Sequence, residues 1–405
     1  MSYAGASYQI NNNPDGNSLI IRKILNNGNS EFSSSIQTGG KGSTLTNSDP
    51  LFSQNSVTRY GDYLFAVNAG SNNISMFKIN PNDPVNVSFI TVAPTVGEYP
   101  VSIAANSQYV GVLNGGTNSG INFYTWNSSG ITPLNGWNRS VDLNPPQGTP
   151  PNGPANTVSD IIFSPDNRSV IVSYKGHNQS NPGGILIYPI QNSSLAANPV
   201  KSVPQGSALS FGMTPVGNSA LLVADASRGF SVFSYNSSTG ETNAATTPLF
   251  EIPPSQGRAI CWSTFSRQTG NYYLVGAGSA SIVEVNVNAD EPFNIKSTIV
   301  KSYELPASGL TDANVLTISG QDYLYVNATD VGPNNTSVIV MKLNGPGQAS
   351  IVQTDTSIPA DVASPGISGM AVVNNSARVD AAAWFWLLLL IILIIIILLA
   401  LWWRG

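Results

Sequence analysis

The most constraining feature of the sequence is a pattern of short strands that recurs along nearly the whole chain. Each copy has a short strand, a turn, a β-branched or aromatic strand ending in small residues, a loop, and an alternating strand. Residues 74–79 (ISMFKI) and 282–287 (IVEVNV) show the alternation of apolar and polar side chains. A period of two is typical of strands with two different faces, and no helical period appears before residue 381.

The spacing of the copies predicts the architecture. Six full copies begin at Ser56, Val101, Val158, Phe211, Cys261 and Asn314. Their starts lie about 45 to 57 residues apart, close to the roughly 40 to 50 residues of a four-stranded propeller blade with loop insertions. Gly, Asn, Asp and Pro mark the junctions, where turns need a positive or fixed φ. Two packed sandwiches would not explain this regular period.

The two ends of the repeat region are complementary. The first copy, residues 5–24, lacks a leading strand, and residues 367–373 (ISGMAVV) resemble the leading strand of the third copy. We therefore predict an all-β, seven-bladed β-propeller over residues 1–373, closed by its C-terminal strand. Closure of the ring leaves only short, protected strand edges.

The C-terminus predicts attachment to a membrane. Residues 381–403 are all apolar, with tryptophans at both ends, and a bilayer core needs about 20 helical residues. We predict a transmembrane helix or anchor segment over residues 381–403 and a linker over residues 374–380. Because the run is almost pure Leu and Ile, an engineered anchor is an alternative. Asn374, Asn375 and Ser376, followed by a short spacer, also resemble a glycosylphosphatidylinositol signal.

Two features disagree about the side of the membrane on which the propeller lies. No signal peptide is visible at the N-terminus, which favours a tail-anchored protein with a cytosolic domain. Asn-x-Ser/Thr sites favour a glycoprotein with an extracellular or lumenal propeller. These sites include Asn73, Asn86, Asn127, Asn138, Asn167, Asn178, Asn192, Asn236 and Asn327. We expect the second arrangement and keep the first as the alternative.

Charge and cysteine content exclude several classes of function. The 17 Lys and Arg residues are scattered singly in a chain of net charge −5, whereas a nucleic-acid site needs a basic cluster. Cys261 is the only cysteine and His177 the only histidine, which cannot supply the usual metal ligands. We expect no nucleic-acid partner, no metal and no cofactor.

Several ordered motifs resemble the lactonase-type seven-bladed propellers. These motifs are residues 38–42 (TGGKG), 49–54 (DPLFSQ), 63–77 (YLFAVNAGSNNISMF), 99–104 (YPVSIA), 163–176 (FSPDNRSVIVSYKG) and 257–262 (GRAICW). The family includes propeller-type 6-phosphogluconolactonase, fungal carboxy-muconate cyclases and secreted fungal relatives, and the chain looks most like the fungal secreted branch. The resemblance covers roughly residues 4–373 and implies the same fold, with an activity on small lactones or carboxylated cyclic esters.

The chain also departs from this family at several positions. It lacks the Gly-Pro-Arg-His motif of the bacterial branch, and Tyr174 stands where many relatives have Glu. Asp225 is the nearest candidate for the carboxylate that the cyclases supply, and Arg258 matches a family arginine. These departures lie at residues that would act in the reaction, and the expected fold is unaffected.

A propeller binds ligands most readily at its central channel, next to the inner strands and their loops. By the repeat alignment the channel residues are Asn12, Asn68, Asn114, Tyr174, Lys175, His177, Asp225, Arg228, Arg258 and Asn327. We predict that His177, Asp225 and Arg258 form an acid–base and anion-binding set. Residues predicted to bind ligand are Tyr174, Lys175, Arg228, Asn68 and Asn114. The structural alternatives are a surface histidine, an Asp225–Arg228 pair and asparagines bonded to backbone.

Two functions follow from these residues. The first is a membrane-anchored, lactonase-like enzyme, favoured by the family resemblance and Arg258. The second is a non-catalytic surface propeller that binds a small molecule or protein in the central channel, favoured by Tyr174 and the neutral, Asn- and Ser-rich sequence. Fold alone does not decide between them.

Overall fold

The computed structural model describes residues 3–43, 45, 49–177, 180–288 and 295–375. Thirty strands in these residues form seven antiparallel sheets of four or five strands each. Three short 3₁₀ helices lie at Ala69–Ser71, Ala244–Thr246 and Ala277–Ser279. The prediction of an all-β, seven-bladed propeller is confirmed.

The strands follow the chain blade by blade. In blades one to four they are β1 (Gly5–Ile10), β2 (Ser18–Ile24) and β3 (Ser30–Gln37); β4 (Val57–Tyr60), β5 (Tyr63–Asn68), β6 (Asn73–Asn80) and β7 (Asp83–Pro94); β8 (Pro100–Ala105), β9 (Tyr109–Asn114), β10 (Gly120–Asn127), β11 (Gly130–Pro133) and β12 (Arg139–Ser140); β13 (Val158–Phe163), β14 (Ser169–Tyr174), β15 (Gly184–Gln191), β16 (Ser194–Leu195) and β17 (Val200–Ser202). In blades five to seven they are β18 (Ser210–Val216), β19 (Ala220–Asp225), β20 (Gly229–Ser234) and β21 (Phe250–Glu251); β22 (Ile260–Phe265), β23 (Tyr272–Gly276), β24 (Ser281–Asn288) and β25 (Lys296–Glu304); β26 (Gly309–Ile318), β27 (Gln321–Thr329), β28 (Thr336–Leu343) and β29 (Ala349–Asp355). The last strand, β30 (Ser368–Asn374), belongs to blade one.

The C-terminal strand closes the ring as predicted. β30 is the innermost strand of blade one and pairs antiparallel with β1, with Gly5 opposite Asn374 and Tyr8 opposite Ala371. The inner strands β30, β4, β8, β13, β18, β22 and β26 then pack side by side around the axis, and β26 meets β30 again. The termini of the domain therefore hold each other in place.

The burial of each strand explains its sequence. Second strands such as β9 and β19 lie between two neighbouring blades, so both of their faces are apolar and buried. Outermost strands such as β25 alternate, because one face meets solvent. Between blades two and three, Tyr63 and Phe65 pack edge-on against Trp126, with ring centroids 5.1 and 5.4 Å apart. Burial of each large apolar side chain stabilises the ring by about 1.5–3 kcal/mol.

Inner strands give the ring two distinct ends. We call the end at which they begin the upper face and the end at which they finish the lower face. Loops between second and third strands lie at the upper face, since strands within a blade are antiparallel. β30 runs in the same direction as its neighbour among the inner strands, β26. Thr311 bonds to the carbonyl of Ile367 and Asn314 to the carbonyl of Met370, so both chains advance by three residues between the two contacts. The described chain therefore finishes at the lower face.

Residues 49–56, which we call the channel segment, connect blade one to blade two along the axis. Ser53 Oγ donates to the carbonyl of Val101 at 2.7 Å, and Gln54 Nε2 donates to that of Met213 at 3.0 Å. Trp262 Nε1 donates to the carbonyl of Ser53 at 2.7 Å. These partners come from β8, β18 and β22 in three different blades, so the segment occupies the channel itself.

The predicted anchor over residues 381–403 lies outside the described residues, as does most of the predicted linker. Asn374 ends β30 and Asn375 follows it. No helix in the described part of the chain is long and apolar enough to cross a membrane.

Candidate functional site

The upper face carries a groove across blades four, five and six. It consists of two adjoining depressions of about 690 and 640 Å³, and Ser227 and Arg228 line both of them. The first depression also has His177, Gln205 and Ser207 in its walls. The remaining walls of the second are formed by Glu251, Ile252, Pro254, Gly257, Arg258, Ala259 and Ile260. We call this continuous site the upper groove; each depression is of a size that suits a small ligand.

The second depression has an excess of positive charge. Arg228 Nη1 lies 3.3 Å from Glu251 Oε1, and both side chains are more than half exposed. Arg258 is exposed, and its backbone N–H donates to Ser279 Oγ at 2.9 Å. In the described part of the chain the Arg258 guanidinium forms no ion pair. One carboxylate thus faces two guanidinium groups, an arrangement that favours an anionic ligand.

His177 lies in the loop between β14 and β15, at the other end of the groove. Its backbone N–H donates to the carbonyl of Asn181 at 2.9 Å, and its side chain is exposed. Within the described residues, no carboxylate forms an ion pair with the imidazole. The imidazole is therefore open to solvent and to a ligand beside Arg228, and no acidic partner fixes its orientation.

Asp225 lies beneath the groove and is buried. Its Oδ2 accepts hydrogen bonds from Ser207 Oγ at 2.5 Å and from the backbone N–H groups of Ala208 and Leu209 at 3.0 and 3.1 Å. Its Oδ1 accepts from the N–H of Ser227 at 2.9 Å and from its hydroxyl. The carboxylate holds together the two loops that form the groove, so the structure gives Asp225 a positioning role.

Lys175 lies on the axis of the ring and is fully buried. Its Nζ donates hydrogen bonds to three oxygen atoms: Phe52 O at 2.7 Å, Ser159 Oγ at 2.7 Å and Val158 O at 3.2 Å. Burial lowers the pKa of the Lys175 amine, and the charge of Asp49 opposes that shift. All three ammonium protons are used, so the side chain fixes the channel segment to blade four.

The other predicted ligand-binding residues also bond within the protein. Asn68 is fully buried; its Oδ1 accepts from Asn17 and Thr38, and its Nδ2 donates to Asn73 and Ser75. The Nδ2 of Asn114 donates to Asn122 Oδ1 at 2.6 Å. Tyr174 is buried with Lys201 Nζ 5.3 Å from its ring centre, and its hydroxyl has no partner in the described residues.

Asn12 and Asn327 close the ring at its upper end. Asn12 Nδ2 donates to Gly366 O at 2.8 Å, and Asn327 Nδ2 donates to Gly369 O at 3.0 Å. Of the ten channel residues that the repeat alignment selects, the structure thus brings His177, Arg228 and Arg258 together in the upper groove. It places the others in contacts within and between blades.

Sequence reasoning missed the polar groove residues Gln205, Ser207, Ser227 and Glu251. Glu251 comes from the two-residue strand β21, which has no periodic signal. Ser227 lies two positions after Asp225, in a loop that the repeat alignment selects. Its place in that loop is the signal by which Ser227 could have been found. Among the described residues, no group of three His, Cys, Asp or Glu side chains could hold a metal ion.

Seven radial sheets, a ring closed by the last strand and a groove on the upper loops define the class of protein. The chain has the fold of the lactonase-type seven-bladed propellers. Models of known families and curated protein sequences gave no match to the chain.

Three solved structures show this fold. A protein from Bacteroides uniformis, provisionally named a 6-phosphogluconolactonase, is 16% identical with a TM-score of 0.65, over 91% of this chain and 99% of its own. A Bacteroides fragilis protein with the same provisional name is 14% identical with a TM-score of 0.62, over 91% and 98%. The periplasmic gluconolactonase of Pseudomonas aeruginosa is 15% identical with a TM-score of 0.50, over 74% and 94%.

Proposed function

We propose that this chain is a lactonase-like propeller that binds a small anionic lactone, or the hydroxy acid derived from it, in the upper groove. The observation that carries the proposal is that Arg228 and Arg258 line one depression of the upper groove, and Arg228 and His177 line the adjoining one. A guanidinium group pairs with a carboxylate or phosphate through two parallel hydrogen bonds. Imidazole is the side chain that most often transfers protons in enzymes. The names of the solved neighbours support the same substrate class.

In this proposal the two arginines hold the anionic group of the substrate while His177 lies beside the ester. Water attacks the lactone carbonyl and loses a proton to the imidazole. The bond between the carbonyl carbon and the ring oxygen breaks, and the imidazolium returns a proton to that oxygen. The product is an open hydroxy acid, and the imidazole ends unchanged. Arg228 would first leave Glu251, with which it forms an exposed ion pair at 3.3 Å.

Binding without turnover is the second candidate function, and the surroundings of Asp225 favour it. Catalytic imidazoles are usually oriented by an acceptor, whereas the Asp225 carboxylate is occupied by Ser207, Ser227 and two backbone N–H groups. A groove with cationic walls and an unoriented imidazole could retain a carboxylated ligand without opening it. In this role, too, the two arginines would hold the anionic group of the ligand.

The test uses the purified full chain in a mild detergent, with gluconolactone- and muconolactone-type substrates and their open acids. We expect lactone opening that falls at least about 100-fold in His177→Ala, since a general acid–base contributes 10²–10⁴-fold. Arg258→Ala should lower kcat/KM mainly through KM. Arg168→Ala is the matched control, because Arg168 is exposed outside the groove. Turnover that survives both changes contradicts the catalytic role, and binding of the acids without turnover supports the second candidate. If the chain neither opens the lactones nor binds the acids, both candidate functions are contradicted.

We also propose that residues 381–403 anchor the chain in a membrane, with the propeller outside the cell or in a lumen. Support comes from the apolar run and from the exit of β30 at the lower face, which would leave the upper groove facing away from the bilayer. Asn86, Asn127 and Asn192 are exposed and open to glycosylation, whereas Asn327 is buried. Native protein should resist alkaline extraction from membranes and lose mass with endoglycosidase. An extractable or unglycosylated protein would contradict the anchor or the orientation, respectively.

A further inference from the structure

The lower end of the channel holds a cavity that the proposed function does not use. Its volume is about 620 Å³, similar to each half of the upper groove and within the range of small-molecule sites. Its walls are residues 57–59 of the inner strand β4, the later residues of the inner strands β26 and β30, and Arg267 in the first hairpin of blade six. The channel segment reaches this cavity at Asn55, and the cavity shares none of its described lining residues with the upper groove. We call it the lower cavity.

Two arginines give the lower cavity its charge. Arg59 and Arg267 both line it and are exposed, and its described lining residues include no Asp or Glu. Arg59 Nη1 donates to the carbonyl of Gly61 at 2.6 Å, which fixes this guanidinium against its own hairpin. Asp62, on the same hairpin, offsets part of the Arg59 charge from outside the cavity. The lining itself therefore carries an excess of two positive charges.

Neutral hydrogen-bonding groups complete the walls. β30 is the end strand of its sheet, so the edge that faces away from β1 presents backbone N–H and C=O groups along residues 370–374. Asn314 lies against this edge, with its Nδ2 2.9 Å from the carbonyl of Met370. Thr58 and Thr317 also line the cavity; their hydroxyl groups donate to Ile103 O at 2.6 Å and to Asp322 Oδ1 at 2.5 Å, which leaves their oxygen lone pairs for a ligand that can donate. Such a lining suits a compact ligand with several oxygen atoms.

We propose that the lower cavity is a second binding site, specific for a phosphate monoester or a similar doubly charged oxyanion. Two guanidinium groups match the two charges of a phosphate monoester, and each offers forked N–H donors for its oxygen atoms. The same chemistry has two sources. One is a free phosphorylated metabolite, and the other is the phosphate-monoester headgroup of a lipid, because β30 is followed in the sequence by the apolar residues 381–403, which we propose to anchor the chain in a membrane.

The experiment is calorimetric titration of the full chain with inorganic phosphate in neutral detergent. We expect saturable binding that weakens about tenfold in Arg59→Gln and in Arg267→Gln, since each change removes a charge-assisted donor. Arg168→Gln removes an exposed arginine outside both the lower cavity and the upper groove, and it should leave phosphate affinity unchanged. Arg228→Gln alters the upper groove and is titrated alongside to detect phosphate that binds there instead. Because Arg59 also supports its hairpin, Arg267→Gln decides the matter if the Arg59 variant melts early.

Nanodiscs distinguish the two sources of phosphate. If the lipid headgroup fills the cavity, discs with phosphatidic acid should weaken inorganic phosphate binding by the full chain relative to discs of phosphatidylcholine. Equal affinity in both discs indicates a free metabolite. No saturable phosphate binding in detergent and no effect of phosphatidic acid would overturn the proposal. Loss of binding in Arg228→Gln alone would overturn it as well, by assigning the phosphate to the upper groove.

Discussion

The upper groove and the channel use charged side chains in opposite ways. In the groove, Arg258 is exposed and Arg228 forms an ion pair with the exposed Glu251. Around the channel, Lys175 and Asp160 are completely buried, and each forms three hydrogen bonds to the protein. Burial of a charge is costly unless partners compensate for it, whereas an exposed charge costs little and contributes little. The buried pair therefore fixes the ring, and the exposed arginines stay available for a ligand.

The channel segment shows what these two buried side chains achieve. Lys175 holds it through the carbonyl of Phe52, and Asp160 holds it through Asn55 Nδ2 at 2.9 Å. Asp160 also accepts from Ser102 of the inner strand β8 and from the N–H of Met213 of β18. These two side chains join blades three, four and five to the connection between blades one and two. Their removal should affect the whole ring, and removal of a groove arginine should affect only binding.

The largest expected effect is that of Lys175→Met. Methionine fills a similar volume but leaves the carbonyls of Phe52 and Val158 without their donor, in a place that water does not reach. A buried acceptor left without its donor costs about 1–3 kcal/mol, so for the two carbonyls together we expect the free energy of unfolding to fall by about 4 kcal/mol. Denaturant unfolding followed by tryptophan fluorescence measures this change.

Arg258→Met is the matched control for that comparison. It makes the same exchange of a long cationic side chain for an apolar one, at an exposed position in the groove. Substitutions at such positions usually change stability by less than about 0.5 kcal/mol. Equal destabilisation by the two variants would contradict the division of roles between channel and groove.

The second prediction concerns the pH dependence of stability and rests on Asp160. Burial raises the pKa of Asp160 to about 7, against hydrogen bonds from Asn55, Met213 and Ser102 that lower it. Between its ordinary pKa near 4 and this value the folded state holds a proton that the unfolded state has lost. The contribution of Asp160 to the free energy of unfolding is therefore fully present at low pH. It decreases as the pH rises from about 4 to 7, by up to about 1.4 kcal/mol per pH unit.

The measurement is the melting temperature of the wild type and of Asp160→Asn at several pH values from 4 to 7. The amide does not titrate, so the difference between the two curves should change across this range, in favour of the variant as pH rises. Other carboxyl groups contribute equally to both proteins. Parallel curves would show that Asp160 is ionised throughout and that burial does not dominate its pKa.

The fold could be predicted because its signal is local and repeated. The blades were predicted from the alternation in strands such as β6 and β24 and from the turn residues at each junction. The closure by β30 was predicted because the first copy lacks a leading strand and the C-terminal end supplies one. The channel segment could not be predicted. It has no periodicity, and its partners, such as Met213 and Trp262, lie more than 150 residues away in the chain.

The site was predicted in part, for a related physical reason. The repeat alignment identified loops of the upper face correctly but could not tell which side chains those loops expose. Lys175 and His177 are two positions apart, yet one is buried on the axis and the other is exposed in the groove. The difference depends on the channel segment, which covers Lys175 through Phe52. Arg59 and Arg267 had no signal at all, because each is a single arginine in a short hairpin.

The smallest expected effect on stability, and the most specific to the groove, is that of Glu251→Gln. The Arg228–Glu251 pair is exposed at both partners, so its loss should change the free energy of unfolding by less than about 0.5 kcal/mol. The amide no longer neutralises Arg228, which then faces a ligand with its full charge. We therefore expect a two- to fivefold gain in affinity for gluconate-type acids, measured by titration calorimetry at low salt, and the gain should shrink as added salt screens the charge. Arg228→Gln in the same background should abolish it. An unchanged affinity in Glu251→Gln would mean that the ligand does not contact Arg228. The proposed binding site would then be limited to the surroundings of Arg258.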